Sequence, residues 1–458
     1  MRTVTLLLLV CLLPVLAQAT HNRAGEITYR QTADNTIEAT IVTYTQESSF
    51  PADRDSLMLC WGDGTCTTVL RTNGSGESLP NDYKVNYYTG THVYQQAGAY
   101  QLSITDFNRN DGILNVNSPN SALVEFHLQS MVTLMDFSVP NSNQSPKLLE
   151  APIDVGFVHQ PFMHTPNAVD LDGDSIAYEI VTPLRGNDVP VPNYLDLDEI
   201  SPGTENSYIF DEKTGLLEWR NPQIVGQYNI AIKIKAYRNG ELVDMMVRDM
   251  QILIQSEENL PPIIEIEDME VTNIQVKVGE TVNFKLTATD PEDGALDGYP
   301  EVTFTGSTFD FGAVAVATSS FGAARGDFTW EVPSDAAQAI PYRIAIKAVD
   351  SKGFATFKII EIQVSEASVS FYTPLKELGA RLFPNPSTAN TFLELPDTQL
   401  GQEVTITIFD NMGRVANEQR IDNAPKEITL PTASLPKGTY FVTLQTKDIR
   451  SSSYLFIQ

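Results

Sequence analysis

Five consecutive residues in the middle of the chain have the types and spacing that could bind a hard metal ion. They are Asp170-Leu171-Asp172-Gly173-Asp174, and they separate one predicted strand from the next. Three carboxylates at alternate positions, with a glycine to turn the chain, can direct several oxygen atoms at one cation, and Ca²⁺ prefers such ligands. Asp and Gly are also common in plain turns. The run therefore predicts either a calcium site or an ordinary turn between strands.

A second acidic turn, Asp290-Pro291-Glu292-Asp293-Gly294, occupies the corresponding place in the following segment. The two turns resemble those of cadherin-like and related calcium-dependent repeats. The resemblance implies a closing aspartate, which Asp350 would supply for the second turn. Ala236 stands at that aligned position for the first turn, so the first site would need another ligand, with Asp211 as the candidate.

Other catalytic patterns are weak or missing in the sequence. It contains no H-E-x-x-H, G-x-S-x-G or P-loop motif. The closest histidines, His159 and His164, are five residues apart, which places them on opposite faces of a strand. Paired carboxylates are frequent, but none lies in a recognisable cleft. The tyrosines Tyr87, Tyr88 and Tyr94 could stack on sugar rings or could belong to a core.

The net charge limits the class of partner. The chain has 30 Lys and Arg residues against 58 Asp and Glu residues, a formal charge of -28. Such a surface repels phosphate backbones and anionic lipid. We therefore expect no nucleic-acid partner.

Strand-type alternation recurs along the chain, and no long segment keeps a 3.6-residue period, so the predicted class is all-β. We predict tandem immunoglobulin-like β-sandwich modules that end in a small β-sandwich. Polar or proline-containing junctions, such as the pair Pro261-Pro262, divide the 458 residues. The predicted divisions are a signal peptide at 1–19, modules at 20–140, 147–255 and 263–365, a linker at 366–379 and a final module at 380–458.

The first residues have the composition of a secretory signal. Arg2 precedes an apolar run over residues 4–16, and Ala17-Gln18-Ala19 has small residues at the spacing of a signal-peptidase site. The apolar run is short for a membrane span, and no later stretch reaches the required length. We therefore expect an exported chain without a transmembrane helix.

The first predicted module contains the run Cys60-Trp61-Gly62-Asp63-Gly64-Thr65-Cys66. The Gly-Asp-Gly turn places the two cysteines opposite one another across a hairpin, and in an oxidising compartment we expect a Cys60–Cys66 disulfide. A structural zinc site is the alternative, but it normally needs four ligands and the sequence has no second pair. The run resembles the signature of polycystic-kidney-disease (PKD) modules, whose later element is similar to residues 92–104.

The second and third predicted modules look like copies of one unit. A tryptophan strand followed by a tyrosine strand occurs at Trp219 and Tyr228, and again at Trp330 and Tyr342. Tandem repetition is typical of an array of modules. In such sandwiches the tyrosine hydroxyl can anchor a corner of the backbone.

The last module begins with the turn Pro384-Asn385-Pro386, which can start a strand but cannot lie inside a sheet. An alternating strand at 404–409, a turn with Gly413, and a strand with Gly438 and Tyr440 follow in order. This series resembles the C-terminal sorting domain of proteins exported by the type IX secretion system. The resemblance implies recognition by that machinery, export through the periplasm and across the outer membrane, and removal of the domain by a sortase, with release or attachment to lipopolysaccharide.

These observations together predict a non-catalytic secreted or cell-surface protein, an adhesin or a structural spacer, with a glycan or a surface protein as its partner. The alternative is a carbohydrate-binding protein or an extracellular hydrolase of an unrecognised kind. If the tail is removed after export, the cut is expected within 366–378, where the sequence shows no clear strand pairing.

Overall fold

The computed structural model describes residues 22–49, 53–107, 109–135, 143–201, 205–256, 258–267, 272–291, 300–320, 323–366, 373–411, 413–446 and 450–458. The predicted signal peptide lies outside these residues. They form two compact units, 1–364 and 365–458. None of the helices in the described parts of the chain is both long enough and apolar enough to cross a membrane.

The first predicted module consists of strands around an aliphatic and aromatic core. Strands β1 to β8 are Asn22–Ala33, Thr36–Gln46, Ser56–Cys60, Cys66–Leu70, Glu77–Leu79, Tyr83–Val93, Ala99–Asp106 and Phe126–Thr133. A 3-10 turn covers Ser121–Leu123. Alternate residues of β1 and β2, such as Ile27, Ile37 and Ile41, enter a core that also holds Trp61. This alternation is the two-residue period that the sequence displays.

The second predicted module has shorter strands and then two long ones. Strands β9 to β19 are Lys147–Leu148, Val155–Phe157, Phe162–His164, Ala168–Val169, Ser175–Val181, Leu184–Gly186, Val189–Pro190, Ser207–Phe210, Leu217–Arg220, Gly226–Arg238 and Glu241–Gln255. Its core contains Trp219 and Tyr228 and also takes in Tyr44 and Tyr83 from the first module.

One twelve-stranded sheet crosses the predicted boundary between these two modules. Strand β19 pairs with β18 along one edge. Along its other edge it pairs in turn with β8, β1 and β10. The 15 residues of β19 are enough for several partners. The polar segment near residue 143 therefore does not mark a break in the sheet.

The third predicted module is a separate sandwich of two four-stranded sheets. Strands β20 to β27 are Ile263–Ile266, Asn273–Lys277, Thr281–Thr289, Glu301–Gly306, Val314–Ser320, Ala323–Glu331, Tyr342–Val349 and Ala355–Ser365, with a 3-10 helix at Ser307–Phe311. One sheet has the order β20-β22-β25-β24 and the other β21-β27-β26-β23. Trp330 and Tyr342 lie in the core between them.

The second compact unit is a smaller sandwich. Strands β28 to β35 are Thr373–Pro374, Arg381–Phe383, Thr391–Glu394, Val404–Phe409, Val415–Ile421, Glu427–Leu430, Gly438–Gln445 and Arg450–Ile457, with a 3-10 turn at Asp397–Gln399. Its sheets have the orders β28-β35-β34-β31-β32 and β29-β30-β33. The prediction of an all-β chain of sandwich modules is confirmed.

Each of the four predicted modules has a tyrosine whose hydroxyl holds a nearby turn. Tyr100 donates to the carbonyl of Gln96 at 2.8 Å, and Tyr440 to that of Pro436 at 2.8 Å. The two repeats follow the same pattern, since Tyr228 donates to Ile224 and Tyr342 to Ala336. The corners that the sequence predicted are therefore formed.

The segment predicted as a linker is structured in its second half. Among the described residues of this segment, strand pairing begins at Thr373, which lies opposite Ser451 in a parallel pair. Leu375 is buried in the core of the second unit. Burial of this apolar side chain at a free strand edge stabilises the sandwich. The strand is too short for an alternating sequence pattern to predict it.

Candidate functional site

The acidic turn 170–174 joins β12 to β13, as the sequence predicts. Gly173 has a φ of +83°, a conformation that side-chain-bearing residues rarely adopt. The turn brings one carboxylate oxygen of each of Asp170, Asp172 and Asp174 within 4.8 Å of the others. The three predicted ligands therefore converge on one small volume.

Each of these carboxylates has a different set of partners. One oxygen of Asp170 accepts the backbone N–H of Asp172 at 2.9 Å and that of Asp174 at 3.2 Å. Asp172 accepts the backbone and side-chain N–H groups of Gln144 at 2.8 and 3.0 Å. Arg238 binds both oxygens of Asp174, each at 2.7 Å, and also lies 3.5 Å from Asp172. Asp174 is thus neutralised, whereas the second oxygen of Asp170 is buried without a hydrogen-bond partner.

A fourth carboxylate, which sequence reasoning missed, belongs to Asp244 on β19. Its residue is 0% exposed, and neither of its oxygens has a partner at hydrogen-bond geometry among the described residues. Burial raises the pKa of Asp244 well above its usual range, the negative charges of Asp170 and Asp172 raise it further, and the nearby Tyr29 hydroxyl offsets only part of the shift. A buried, unpaired carboxylate is costly unless a proton or a cation neutralises it.

Asp244 lies across from Ala236, which stands where the aligned repeat has its closing aspartate, but it is not part of the convergent group of carboxylates. The two residues are opposite one another in the pair of β18 and β19, and a bulge follows at once, where Tyr237 faces Leu242. Bulges re-aim side chains locally. The candidate ligand Asp211 instead holds a different turn, because its carboxylate accepts the N–H groups of residues 213 and 214 at 2.8 and 3.2 Å.

The second predicted site is only partly described. Glu292 and Asp293 lie outside the described residues. Both oxygens of Asp350 are used, one by the N–H groups of Lys352 and Phe354 at 2.8 Å each and the other by Asn259 at 2.5 Å. Asp290 is buried to a similar degree as Asp350. Within the described residues, neither belongs to a convergent group of three metal-binding side chains.

The first turn gives the protein a pH-dependent stability. Burial raises the pKa of Asp170 to about 7, and the charges of Asp174 and Asp172 add to the shift. The folded protein binds this proton more tightly than the unfolded chain, whose Asp pKa is about 3.9. The stabilisation of the folded state by the protonated Asp170 is therefore fully present below about pH 3.9 and is lost as the pH rises through about 7.

We predict that Asp170→Asn removes this dependence in cation-free buffer. Burial lowers the pKa of His127 and of His164, so these residues act in the opposite direction. The quantity to measure is therefore the melting temperature of Asp170→Asn minus that of the wild type, in a chelator, from pH 5 to pH 8. We expect the difference to grow with pH. Asp211→Asn is the control, and its difference in melting temperature from the wild type should not change with pH. If the difference for Asp170→Asn is also independent of pH, the prediction is contradicted.

The cysteine run forms the hairpin that the sequence predicts. Cys60 and Cys66 face one another in the pair of β3 and β4 and are joined by a disulfide. Asp63 in the turn accepts the N–H of Thr65 at 2.9 Å and contacts His92 at 2.7 Å. The His92 ring stacks on Trp61 with centroids 4.8 Å apart. These contacts explain the run as a structural unit.

The histidines and tyrosines singled out by the sequence are mostly structural. His164 is fully buried and contacts Asp154 at 2.7 Å, whereas the exposed His159 contacts Asn221 at 3.2 Å. Tyr88 and Tyr94 are buried at 1% and 2% exposure. Of the three tyrosines, Tyr87 alone is half-buried.

The final unit places its motif residues along the last strand. The side chain of Asn385 accepts the N–H of Phe456 at 2.9 Å and donates to the carbonyl of Tyr454 at 2.7 Å. It does so between Pro384 and Pro386, so the proline turn lies against β35. Gly413, with a φ of +78°, completes the turn between β31 and β32.

The remaining motif residues lie on the neighbouring strand. Gly438 and Tyr440 open β34, which pairs with β35 over its whole length. Residues 381–458 match the family model described as the secretion system C-terminal sorting domain. This segment is a sorting domain. The type IX resemblance is therefore confirmed, and the chain is exported to the cell surface or secreted.

Solved structures to which the chain is similar include repeat proteins. Drosophila N-cadherin EC1-4 is 14% identical, with 88% of this chain and 91% of that chain covered and a TM-score of 0.21. The extracellular cadherin domains 1-4 of protocadherin gamma B7 are 11% identical, with coverage of 88% and 91% and a TM-score of 0.20. The titin fragment I67-I69 is 12% identical, with coverage of 69% and 97% and a TM-score of 0.19.

These low scores carry no conclusion about function. No curated protein matches the chain.

Proposed function

We propose that the exported protein is a non-catalytic surface or secreted protein, an adhesin or a structural spacer. The observation that carries this proposal is the joint between the second and third predicted modules. A spacer must resist bending where its modules meet. Modules that are joined only by an exposed linker are expected to move relative to one another. Here the joint is buried and polar groups are paired across it.

A buried ion cluster lies at the centre of the joint. Lys347 of β26 contacts Asp154 at 2.6 Å and Glu150 at 3.6 Å, and the side chains of all three are at most 10% exposed. Glu150 also accepts the hydroxyl of Thr305 at 2.5 Å. Opposite charges from two modules are thus held in one place. Separation of the modules would leave these charges without their partners.

Apolar and backbone contacts surround this cluster. The rings of Phe157 and Phe354 lie 5.1 Å apart, and Val155 forms a β-bridge with Phe354. Gly353 packs closely against the side chain of Asn81, since a Cβ atom added at Gly353 would lie 2.7 Å from it. A loop of the first module therefore also reaches the joint. All three modules therefore meet around residues 350–354.

We include in the proposal that the turn 170–174 binds Ca²⁺. The ligands we assign are Asp170, Asp172 and Asp174, whose carboxylate oxygens converge, and the cation would also offset the negative charge of the nearby Asp244. The orphaned buried oxygens of Asp170 and Asp244 support this choice, because a divalent cation would neutralise both. Calcium takes six to eight oxygen ligands, and the carboxylates would supply part of this set.

Calcium is expected to raise the melting temperature of the purified protein. Calcium sites of extracellular modules have Kd values of about 10⁻⁴–10⁻³ M. At a free concentration of about 100 Kd, binding to the folded state stabilises it by about 2.7 kcal/mol. Asp170→Asn and Asp172→Asn should each abolish the calcium-dependent shift in a thermal melt.

Asp211→Asn is the matched control and should keep that shift, because Asp211 holds a different turn. An unchanged melting temperature of the wild type at about 100 mM calcium, which is about 100 times the weakest Kd of this range, would reject the site. A shift that persists in both Asp170→Asn and Asp172→Asn would reject the ligand assignment.

We further propose that a sortase removes the sorting domain after export and that the remaining protein is attached to lipopolysaccharide or released. The cut is expected N-terminal to Thr373, because Thr373 is the first residue of the second unit that is paired in a strand among the described residues. A glycan or a surface protein would be the partner of the exported modules.

A further inference from the structure

A groove lies on the outer face of β1, β2 and β6. In the pair of β1 and β2, Glu26 faces Val42 and Thr28 faces Thr40, and Val42 in turn faces Tyr87 of β6. The intervening residues, such as Ile27 and Ile41, point into the core of the first module. Since strand side chains alternate between faces, the first set shares the opposite side of the sheet.

The chain after the first module turns this face into a cavity. Its backbone pairs with β1, since Gln31 donates to the carbonyl of Asn143 at 3.1 Å and Ser145 to that of Tyr29 at 2.9 Å. Leu148 and Leu171 complete the wall of an open groove, whose volume is about 400 Å³. Small-molecule sites have volumes of about 300–1,000 Å³.

Two tyrosine hydroxyls in the groove are available to a ligand. Tyr44 and Tyr87 both line the cavity. Tyr44 is only 7% exposed, yet neither hydroxyl has a hydrogen-bond partner among the described residues. By contrast, the buried Tyr88 and Tyr94 donate to backbone carbonyls at 2.8 and 2.9 Å. A tyrosine combines an apolar ring with a polar tip, and a buried tip normally has a partner.

The charges in the groove are balanced. Glu26 is paired with Arg248, and Glu38 with Arg30, each at 2.8 Å. Lys147 also lines the groove, so the charged lining residues Glu26, Glu38, Arg30 and Lys147 contribute two charges of each sign, in a chain of charge -28. A strongly charged ligand would find no matching excess of opposite charge here.

We propose that this groove binds a neutral saccharide. Sugar rings have apolar C–H faces that pack on aromatic rings and a rim of hydroxyls that pair with tyrosine and carboxylate oxygens. An extended peptide is less suited, because peptides add to free strand edges and the backbone of β2 is paired on both sides. The inference rests on the proposed surface function, for which it supplies a ligand class.

The test is affinity electrophoresis of the purified full-length chain in gels that contain starch, dextran, galactomannan or hydroxyethylcellulose. We expect at least one of these neutral polysaccharides to retard the wild type. Tyr87→Ala should abolish the retardation. Tyr87→Phe, which removes one hydroxyl and keeps the ring, should weaken binding about two- to tenfold.

Tyr208→Ala is the matched control, because Tyr208 is also half-buried against the core of the second module but lies outside the groove. It should leave the retardation unchanged. Near-ultraviolet circular dichroism checks that each variant is folded. If Tyr87→Ala is not folded, the retardation of Tyr87→Phe decides the outcome.

Retardation by none of the four polysaccharides would overturn the inference, as would equal retardation of a folded Tyr87→Ala. Retardation in an alginate gel alone would also overturn it, because alginate is anionic. The assay uses purified protein, so a failure of export or of attachment in cells leaves its result untouched.

Discussion

Replacing Lys347 by methionine is expected to lower the local free energy of unfolding at the joint by about 3–5 kcal/mol. The substitution keeps a side chain of similar length but removes the ammonium group between Asp154 and Glu150. Burial alone would lower the pKa of Lys347, but these two carboxylates outweigh it and raise the pKa. Without the lysine, two buried carboxylates lose their counter-charge, and their remaining contacts with His164 and Thr305 do not replace it.

The measurement is hydrogen exchange with mass spectrometry on peptides from β10 and β26, because a chain of several modules does not unfold in one step. Lys285→Met is the matched control. Lys285 and Asp327 are 69% and 56% exposed and 3.7 Å apart, so this surface pair contributes at most about 1 kcal/mol. Equal effects of the two substitutions would show that the buried cluster does not stabilise the joint.

Deletion of residues 365–458 is expected to abolish export of the remaining chain. The deleted part is one compact unit that contains the whole sorting domain. The first unit has its own cores and should fold without it. The truncated protein should therefore accumulate inside the cell envelope, which fractionation and immunoblotting would detect.

The reciprocal experiment fuses residues 365–458 to the C-terminus of a periplasmic carrier protein, which should then reach the cell surface or the medium. When the full-length chain is expressed, mass spectrometry of the exported product should show a C-terminus within 366–372. Normal amounts of the truncated chain outside the cell would contradict the assignment of export to this domain.

The proposed saccharide groove and the proposed calcium site share a segment of chain. Gln144 lines the groove and also binds Asp172. Leu171 lies in the acidic turn and in the wall of the groove. Loss of the cation should therefore change the shape of the groove as well as the stability of the turn.

Local patterns in the sequence were sufficient for several features. The alternation of 404–409 predicted strand β31, and the spacing of Cys60 and Cys66 predicted the disulfide. The ordered motifs from Pro384 to Tyr440 identified the sorting domain. These features depend on residues close together in the chain, or on a fixed series of turns and strands, so the sequence displays them directly.

Tertiary structure decided how distant residues meet. Asp244 is buried close enough to the acidic turn for the charges of Asp170 and Asp172 to raise its pKa, and no motif marks that position. Lys347 meets Asp154 only because two modules pack together. Tyr44 and Tyr87 share a groove because the register of β1, β2 and β6 puts them on one face and a later segment covers it.

The sequence by itself determined the all-β class, the sorting domain and the first acidic turn, because alternation and turn chemistry act over a few residues. Only the fold decided which carboxylates are buried without partners and which tyrosines line a cavity. Burial and pairing depend on residues far apart in the chain, such as Glu26 and Arg248. Their proximity is a result of sheet topology, which no local pattern encodes.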